Sequence, residues 1–496
     1  MMLDVSELIR PPIAWRRLGL ICAAFALLEL VTSDWYGYHR DELYFIAIGG
    51  HPAFGYVDEP PLVPLLAHGM DAASGHSLVW LRVPAALAGA LAVLVTGLIA
   101  REFGGGAAEQ PLAAGAMAAS GLTLGTSHLM STTTFDLLAW TVLLWLVVRA
   151  LRDGGPIWLL VGLVAGVALE IKTLPIFLLF ALLVAVLLIG PRDTLTSSWL
   201  WIGALIAAAL WAPNLIWQAT HDWPQFELAK SVAAGNSGSS EPRSLFIPFQ
   251  FLLMGPPLAP IWLAGLWRLT RDRALALWRC LPLAYGILIG IFLGTGGKPY
   301  YLAGMYPVLF AAGAGPTLNW ARTAARRVVL ITVVAVSAVI SAVVALPIVP
   351  ASTLHDTPIV AMNYDAGEQV GWPAFARTIA DVYASLPAPD RARTIVLTGN
   401  YGEAGAVLHF APHVRPVYSG HNSFWDLGPP PESANAAVAI GYDESDLRDW
   451  FASVEPVVTI HNGDQLDNDE QGETVWLCRD PTASWRTLWP DMRNLG

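Results

Sequence analysis

Residues 38–66 read YHRDELYFIAIGGHPAFGYVDEPPLVPLL, and the interpretation of the whole chain depends on this stretch. It contains four carboxylates, Asp41, Glu42, Asp58 and Glu59, although only 14% of the residues of the protein are charged. Apolar segments precede and follow it. We therefore predict a long loop between two membrane spans, whose acidic side chains are candidates for function.

The composition of the chain is that of a polytopic membrane protein. Of its 496 residues, 55% are hydrophobic, and the mean hydropathy is +0.51. These values exceed what a soluble domain needs. The net charge of −11 comes largely from the last third and argues against a nucleic-acid partner. Cys22, Cys280 and Cys478 imply no disulfide framework.

The apolar segments predict about eleven transmembrane helices. The first, at 18–31, lacks the small-residue cleavage site of a signal peptide, so we predict an uncleaved span. Ten more are predicted at 79–100, 111–129, 134–151, 156–172, 173–190, 199–217, 245–267, 279–294, 301–320 and 328–349.

Arginine predicts the orientation of the protein in the membrane. Most arginines before residue 350 fall in connections on the side of the N-terminus, which the positive-inside rule assigns to the cytoplasm. An odd number of spans then places the 38–66 loop and residues 351–496 outside. We predict a multi-pass protein of the plasma (inner) membrane, with a cytoplasmic N-terminus and an extracytoplasmic C-terminal domain.

Lysine has the opposite distribution. The chain has three lysines, Lys172, Lys230 and Lys298, and the predicted topology places each on or near the outer face. Three lysines are too few to establish a statistical preference for one side of the membrane, so their distribution can be due to chance. The functional alternative is that they hold an anionic group at the outer face. Lys298 lies in GTGGKPYYLAGMYP, whose Tyr300 and Tyr301 are further candidates for a phosphate contact.

Residues 351–496 differ in character from the first 350 residues and predict a separate domain. They are polar and acidic, and YSGHNSFW contains His421, Asn422 and Trp425, candidates either for sugar contact or for a buried turn. Helices at 372–386, 402–410 and 443–454 alternate with strands at 394–398, 436–441, 456–461 and 474–479. This alternation predicts an α/β domain with a largely parallel sheet.

The carboxylates of the first loop fall where helices are expected to begin. Asp41 and Glu42 precede LYFIAIGG, a short helix of the membrane interface whose first turn favours acids. Asp58 and Glu59 precede two prolines, which favours a second helix over 60–72. The four acids either only cap these helices or face one another in a functional site.

A carboxylate at a membrane surface can act as a general base. It must come within about 2.6–3.2 Å of the attacking hydroxyl, and partial dehydration makes it more basic. A lipid phosphate as leaving group needs cations or a metal. The candidates are Arg40, Arg82, Lys172, Lys230 and Lys298, or a metal bridged by Asp58 and His221, although a lone histidine beside Trp-Pro is more often structural.

The stretch DELYFIAIGGHPAFGYVDEPPL, followed by a membrane bundle, resembles the family 39 and family 83 glycosyltransferases, which include protein O-mannosyltransferases and aminoarabinose transferases. The resemblance implies the GT-C fold and a polyprenyl-phosphate sugar donor, with inversion at the anomeric carbon. It implies that Asp41 is the general base, and it matches Asp58 or Glu59 to the acid before the paired prolines. Where aminoarabinose transferases have lysine before these prolines, this chain has Glu59.

These observations together predict an inverting membrane glycosyltransferase, of the hexosyl or pentosyl class. Asp41 and Glu42 are the catalytic candidates, and Asp58 and Glu59 orient the acceptor or a metal. The acceptor is a hydroxyl of an envelope glycan, lipid or protein, and no cofactor beyond a divalent ion is expected. The alternative is a lipid transporter or flippase, which needs ionisable groups in mid-span, of which Asp136 and Glu170 are the chief examples. A glycan-binding scaffold is a third class.

Overall fold

The computed structural model describes residues 10–235 and 241–496, and the described residues before 351 form a helical bundle. The glycine- and serine-rich run GNSGSS lies outside the described residues apart from its first glycine. The helices are α1 Trp15–Thr32, α2 Arg40–Gly49, α3 Leu62–Ser74, α4 Leu78–Glu102, α5 Glu109–Ala118, α6 Gly121–His128, α7 Thr132–Asp153, α8 Ile157–Leu169, α9 Pro175–Ile189, α10 Ser198–Thr220, α11 Pro224–Ala234, α12 Phe246–Met254, α13 Ala259–Arg271, α14 Cys280–Thr295, α15 Tyr306–Trp320 and α16 Ala324–Ala345.

An apolar helix, or a broken pair of helices, lies at each of the predicted spans. The span predicted at 111–129 is divided into α5 and α6, and the one at 245–267 into α12 and α13, with a bend of 85°. Gly255, with φ +87°, and the proline after it explain the second break. Among the described residues, α4, α7, α10 and α16 are each long and apolar enough to cross a membrane, and the bent pair is a fifth candidate.

The helices differ in what covers them. α4 and α7 are mostly buried within the bundle, whereas α10 and α16 are mostly exposed. Leu205 on α10 and Ile331 on α16 are more than two thirds exposed, as a lipid-facing surface requires. Gly162 and Gly203 let α8 and α10 approach closely, since a Cβ on Gly162 would lie 2.0 Å from the Gly203 carbonyl oxygen.

The C-terminal part contains a five-stranded mixed sheet with helices around it. Its helices are α17 Ala351–Leu354, α18 Ile359–Met362, α19 Trp372–Ser385, α20 Ala388–Arg391, α21 Tyr401–Phe410, α22 Glu444–Trp450 and α23 Trp485–Leu488. Its strands are β1 Thr394–Thr398, β2 Val417–Ser419, β3 Ala436–Ile440, β4 Phe451–Thr459 and β5 Thr474–Pro481, in the order β2-β1-β3-β5-β4.

The predicted small α/β domain is thus present, with two differences. The sheet is mixed rather than largely parallel, because β1 pairs parallel with β2 and β3 while β5 pairs antiparallel with β3 and β4. The helix predicted at 443–454 ends at Trp450, because Phe451 already begins β4 and pairs with β5. The three-residue strand β2 was too short to predict from a pattern.

The helices of the first loop are where the two parts of the chain meet. α2 packs against α3 and against α21, and side chains from all three join one apolar cluster. Gly405 permits the α2–α21 contact, because a Cβ there would lie 2.8 Å from the Leu43 carbonyl carbon. The first turn of α2, with its acidic residues, therefore lies between the bundle and the C-terminal part.

Candidate active site

The first turn of α2 carries three consecutive charged side chains, Arg40, Asp41 and Glu42. His39 caps the helix: its Nδ1 accepts a hydrogen bond from the Asp41 N–H at 3.1 Å, while Glu42 Oε2 accepts from the His39 N–H at 2.8 Å. The predicted helix start is confirmed. Successive side chains on a helix point in different directions, so the three charges meet different surroundings.

Glu42 lies in a closed, fully buried ion pair with Arg82. Arg82 Nε and Nη2 each donate to one carboxylate oxygen of Glu42 at 2.8 Å, and the Met130 N–H donates to Oε1 at 2.9 Å. Burial alone raises the pKa of Glu42, but the Arg82 charge and these hydrogen bonds outweigh it and lower the pKa. Both oxygens of Glu42 already accept hydrogen bonds from protein donors, so this geometry does not support the predicted catalytic role of Glu42.

Arg82 is equally occupied and is not available to a phosphate, in contrast to the prediction. It is 1% exposed, and its remaining N–H groups contact the carbonyl oxygens of Ser33 and Gly37 and the side chains of His128 and Gln369. The Glu42–Arg82 pair ties the first loop to α4 and to the C-terminal part.

Arg40 points into the C-terminal part, away from the predicted phosphate-binding role. Its Nη1 donates to Tyr364 Oη at 2.9 Å, Glu368 Oε2 at 3.1 Å and Asp469 Oδ2 at 3.0 Å. Its guanidinium also lies 5.0 Å from the centre of the Tyr401 ring. Two carboxylates already neutralise this cation, so we assign it to the attachment of the C-terminal part.

Asp41 is partly exposed, whereas the other carboxylate of this turn, Glu42, is buried. Its Oδ1 accepts a hydrogen bond from Tyr401 Oη at 2.8 Å, and its second oxygen has no protein donor among the described residues. A carboxylate held on one side and open on the other is the arrangement that a general base needs.

Asp58 lies next to this position, across two tyrosines. Tyr44 Oη donates to Asp58 Oδ1 at 2.7 Å, and the Tyr44 and Tyr401 rings are 4.6 Å apart. Ser423 and Asn422 of the C-terminal part are the other donors, at 3.4 and 3.3 Å. Burial raises the pKa of Asp58 to about 6, so its carboxyl is mostly ionised at pH 7.

Glu59 faces the bundle. Thr132 Oγ1 donates to Glu59 Oε1 at 3.1 Å, and Lys172 Nζ contacts the hydroxyls of Thr132 and Thr133 at 3.4 and 3.1 Å. Burial raises the pKa of Glu59 to about 8, although the charge of Lys172 opposes this effect. Glu59 is therefore mostly protonated at neutral pH and can donate a hydrogen bond.

Two of the three lysines come together here. The Lys172 ammonium lies over the rings of Tyr300 and Tyr301, at 5.5 and 5.9 Å from their centres. Burial, and then the charge of Lys172, lower the pKa of Lys298 to about 8, while Asp41 and Glu59 act in the opposite direction. Because Lys172 and Lys298 disfavour each other's positive charge, an anion near both of them would stabilise their charged forms.

Lys230 and His221 lie elsewhere, in contrast to their predicted roles. Lys230 is exposed on α11, its ammonium 4.4 Å from the centre of the Phe226 ring. His221 is stacked on Trp217 at 4.1 Å, with Nδ1 2.8 Å from the Trp217 carbonyl oxygen. Because protein donors already surround Asp58, these contacts do not support a metal bridging Asp58 and His221.

Tyr401, Tyr44 and Thr132 are site residues that the sequence pattern does not reveal. Tyr401 lies in GNYGEAGA, 360 positions after the aspartate that it contacts. Of the candidate sugar contacts, His421 and Asn422 are buried at the start of the 3-10 helix Asn422–Leu427, and Asn422 donates to Asp58.

Comparison with known proteins supplies independent information. Residues 58–217 match the family model described as dolichyl-phosphate-mannose-protein mannosyltransferase. No curated protein matches the chain. The crystal structure of ArnT from Cupriavidus metallidurans bound to undecaprenyl phosphate superposes with a TM-score of 0.61 and 15% identity, over 93% of this chain and 98% of that one. The crystal structure of the same protein in the apo state superposes with a TM-score of 0.60 and 14% identity, over 92% of this chain and 97% of that one. These likenesses confirm the fold predicted from the sequence.

Proposed function

We propose that this chain, a multi-pass membrane protein with the GT-C glycosyltransferase fold, moves a sugar from a polyprenyl-phosphate donor to an acceptor hydroxyl at the outer face of the membrane. The observation that carries the proposal is the position of Asp41, a partly exposed carboxylate that is held by Tyr401 and lies close enough to Lys298 to raise its pKa, while Lys172 also acts on Lys298. The match to the mannosyltransferase family and the undecaprenyl phosphate in the ArnT structure support this class of donor.

The residues of the site divide the reaction between them. Asp41 takes the proton of the acceptor hydroxyl as its oxygen forms a bond to the anomeric carbon. The bond from that carbon to the phosphate oxygen breaks, and the polyprenyl phosphate leaves with the electron pair. Lys172 and Lys298 stabilise the negative charge that develops on the phosphate. Attack opposite the leaving group inverts the anomeric centre.

The tyrosines and Asp58 position these groups. Tyr401 fixes the Asp41 carboxylate with one hydrogen bond, and Tyr44 and Asn422 do the same for Asp58. Asp58, ionised at neutral pH, can accept a hydrogen bond from a second hydroxyl of the sugar or the acceptor. No step of this scheme depends on a metal ion.

The direct test is donor consumption by the purified full chain. It is incubated with a panel of polyprenyl-phosphate sugars and with glycan, lipid and peptide acceptors, with and without a chelator, and the released polyprenyl phosphate is measured. We expect one donor to be consumed with inversion. If no donor reacts but a labelled donor crosses the bilayer of proteoliposomes, the protein is a flippase and the proposal fails.

Replacing Lys172 by methionine tests the phosphate site, because methionine keeps the apolar stem and removes the charge. A hydrogen bond to a charged group contributes about 1.5–3 kcal/mol, so kcat/KM for the donor should fall about 10- to 150-fold. The matched control is Lys230→Met on exposed α11, which should leave kcat/KM unchanged. Equal losses in both variants would contradict the assignment.

Glu59→Gln tests the protonation state of Glu59. A folded-state pKa of about 8 exceeds the ordinary value of 4.5, so the native protein binds the proton more tightly than the unfolded chain does. Its stability should therefore fall relative to Glu59→Gln as the pH rises from about 5 to about 8, by at most about 1.4 kcal/mol per pH unit. Thermal midpoints measured across this range check it, with the exposed Glu241→Gln as control. Parallel curves for the wild type and Glu59→Gln would show that Glu59 is ionised at neutral pH.

A further inference from the structure

A second group of ionisable side chains lies at the other end of α21, outside the candidate active site. Asp71 is in the last turns of α3, His76 is in the turn between α3 and α4, and His409 is in the last turn of α21. One ligand atom from each residue lies within 4.8 Å of the other two. Among the described residues, no other group of three histidine, cysteine or acidic side chains is this compact.

The side chains are held in this arrangement by neighbouring contacts. His76 Nδ1 is 2.8 Å from Asp71 Oδ2, and the His76 and His409 rings are 5.5 Å apart and nearly perpendicular. Tyr38 contacts both histidines: its hydroxyl donates to the His76 carbonyl oxygen at 2.8 Å, and its ring centre is 4.5 Å from that of His409.

An unsatisfied carboxylate oxygen points independently to a cation. Asp71 is 3% exposed, and its Oδ1 is buried without a hydrogen-bond partner among the described residues. This oxygen shares its carboxyl group with the Oδ2 that faces His76, so it belongs to the same group. A buried anionic oxygen without a donor is costly, and a bound cation would satisfy it.

We propose that Asp71, His76 and His409 bind a divalent transition-metal ion, with zinc as the preferred metal. Two imidazoles and a carboxylate are ligands that suit zinc, whereas magnesium and calcium prefer oxygen ligands alone. Zinc ligands lie about 2.0–2.2 Å from the ion, so donor atoms within 4.8 Å of one another need only small rotations to converge on it. His76 is exposed, which gives the ion a path from solvent and leaves room for a water ligand.

The consequence is a clamp between the first loop and the C-terminal part. Asp71 and His76 belong to the first loop and His409 to α21, and α21 begins at Tyr401, which contacts Asp41. An ion at the end of α21 would fix the orientation of this helix against α2 and α3. The role is structural and does not depend on the proposed glycosyl transfer.

Zinc binding by the purified full chain tests the proposal. The protein is purified with an affinity tag that contains no histidine, and its metal is removed with a chelator. It is then titrated with zinc chloride. Bound zinc is measured by mass spectrometry, and stability is measured by thermal unfolding. We expect one zinc per chain and a higher Tm with zinc. His76→Gly and His409→Gln should lose both effects, and His413→Ala, an exposed histidine of the same part, should keep them.

His76→Gly is informative because its backbone effect opposes its side-chain effect. Glycine is favoured at the φ of +68° that His76 adopts, and this gain offsets the loss of the contact between His76 and Asp71, so the metal-free variant should still fold. The proposal is overturned if the wild type takes up no zinc. It is equally overturned if zinc uptake and the Tm increase are the same in His76→Gly, His409→Gln and His413→Ala.

Discussion

Asp41→Asn should reduce kcat by about 10²–10⁴-fold, the usual contribution of a general base. The amide keeps the size of the carboxylate and still accepts the hydrogen bond from Tyr401, so the fold has no reason to change. In the proposed mechanism the donor phosphate is held by Lys172 and Lys298, which the substitution leaves in place, so the KM for the donor should change little. Separate measurements of kcat and KM with one donor check this expectation.

The neighbouring residues supply graded controls for Asp41. Asp34→Asn, an exposed acid of the same loop, should keep full activity. Tyr401→Phe removes the hydrogen bond but not the carboxylate, so its loss of kcat should be smaller than that of Asp41→Asn. An Asp41→Asn protein that retains more than a tenth of the wild-type kcat would exclude Asp41 as the base.

Glu42→Gln should produce the largest loss of stability. The substitution leaves the Arg82 guanidinium buried without its carboxylate, and breaking a buried ion pair in this way costs about 3–5 kcal/mol. Because domains are stable by only about 5–15 kcal/mol, we expect a lower yield of folded protein and a lower Tm. Size-exclusion profiles and thermal unfolding of the purified variant measure both.

This result separates a structural Glu42 from a catalytic one. A catalytic glutamate would give a protein of normal Tm without activity, which is the pattern expected at Asp41. The double variant Glu42→Gln/Arg82→Met, which removes both charges, should recover part of the lost stability. The exposed Glu444–Arg448 pair is the control, and Glu444→Gln should leave the Tm unchanged.

Much of the fold could be predicted from local sequence patterns, because the signals for apolar helices and helix starts lie within short stretches of the chain. Apolar length located the helices of the bundle, and the acids and prolines of the first loop located the starts of α2 and α3. The strand at 394–398 was predicted to the residue. The antiparallel part of the sheet was not predicted, because the pairing of β3 with β5 depends on residues far apart in the chain.

Local sequence also identified Asp41 and the three lysines as candidates, since scarce charges beside apolar spans are unusual. It did not separate Asp41 from Glu42 or Arg40. Adjacent residues of a helix face different surroundings, and those surroundings come from distant segments: Arg82 for Glu42, and Glu368 for Arg40.

The sequence by itself determined that this is a membrane bundle with an acidic loop and a polar C-terminal part, because hydropathy and helix-start signals act over a few residues. Only the tertiary structure decided which charged side chains form ion pairs between the bundle and the C-terminal part, and which remain partly exposed. The physical reason is that a buried charge must be compensated, and its partner can be supplied from anywhere along the chain.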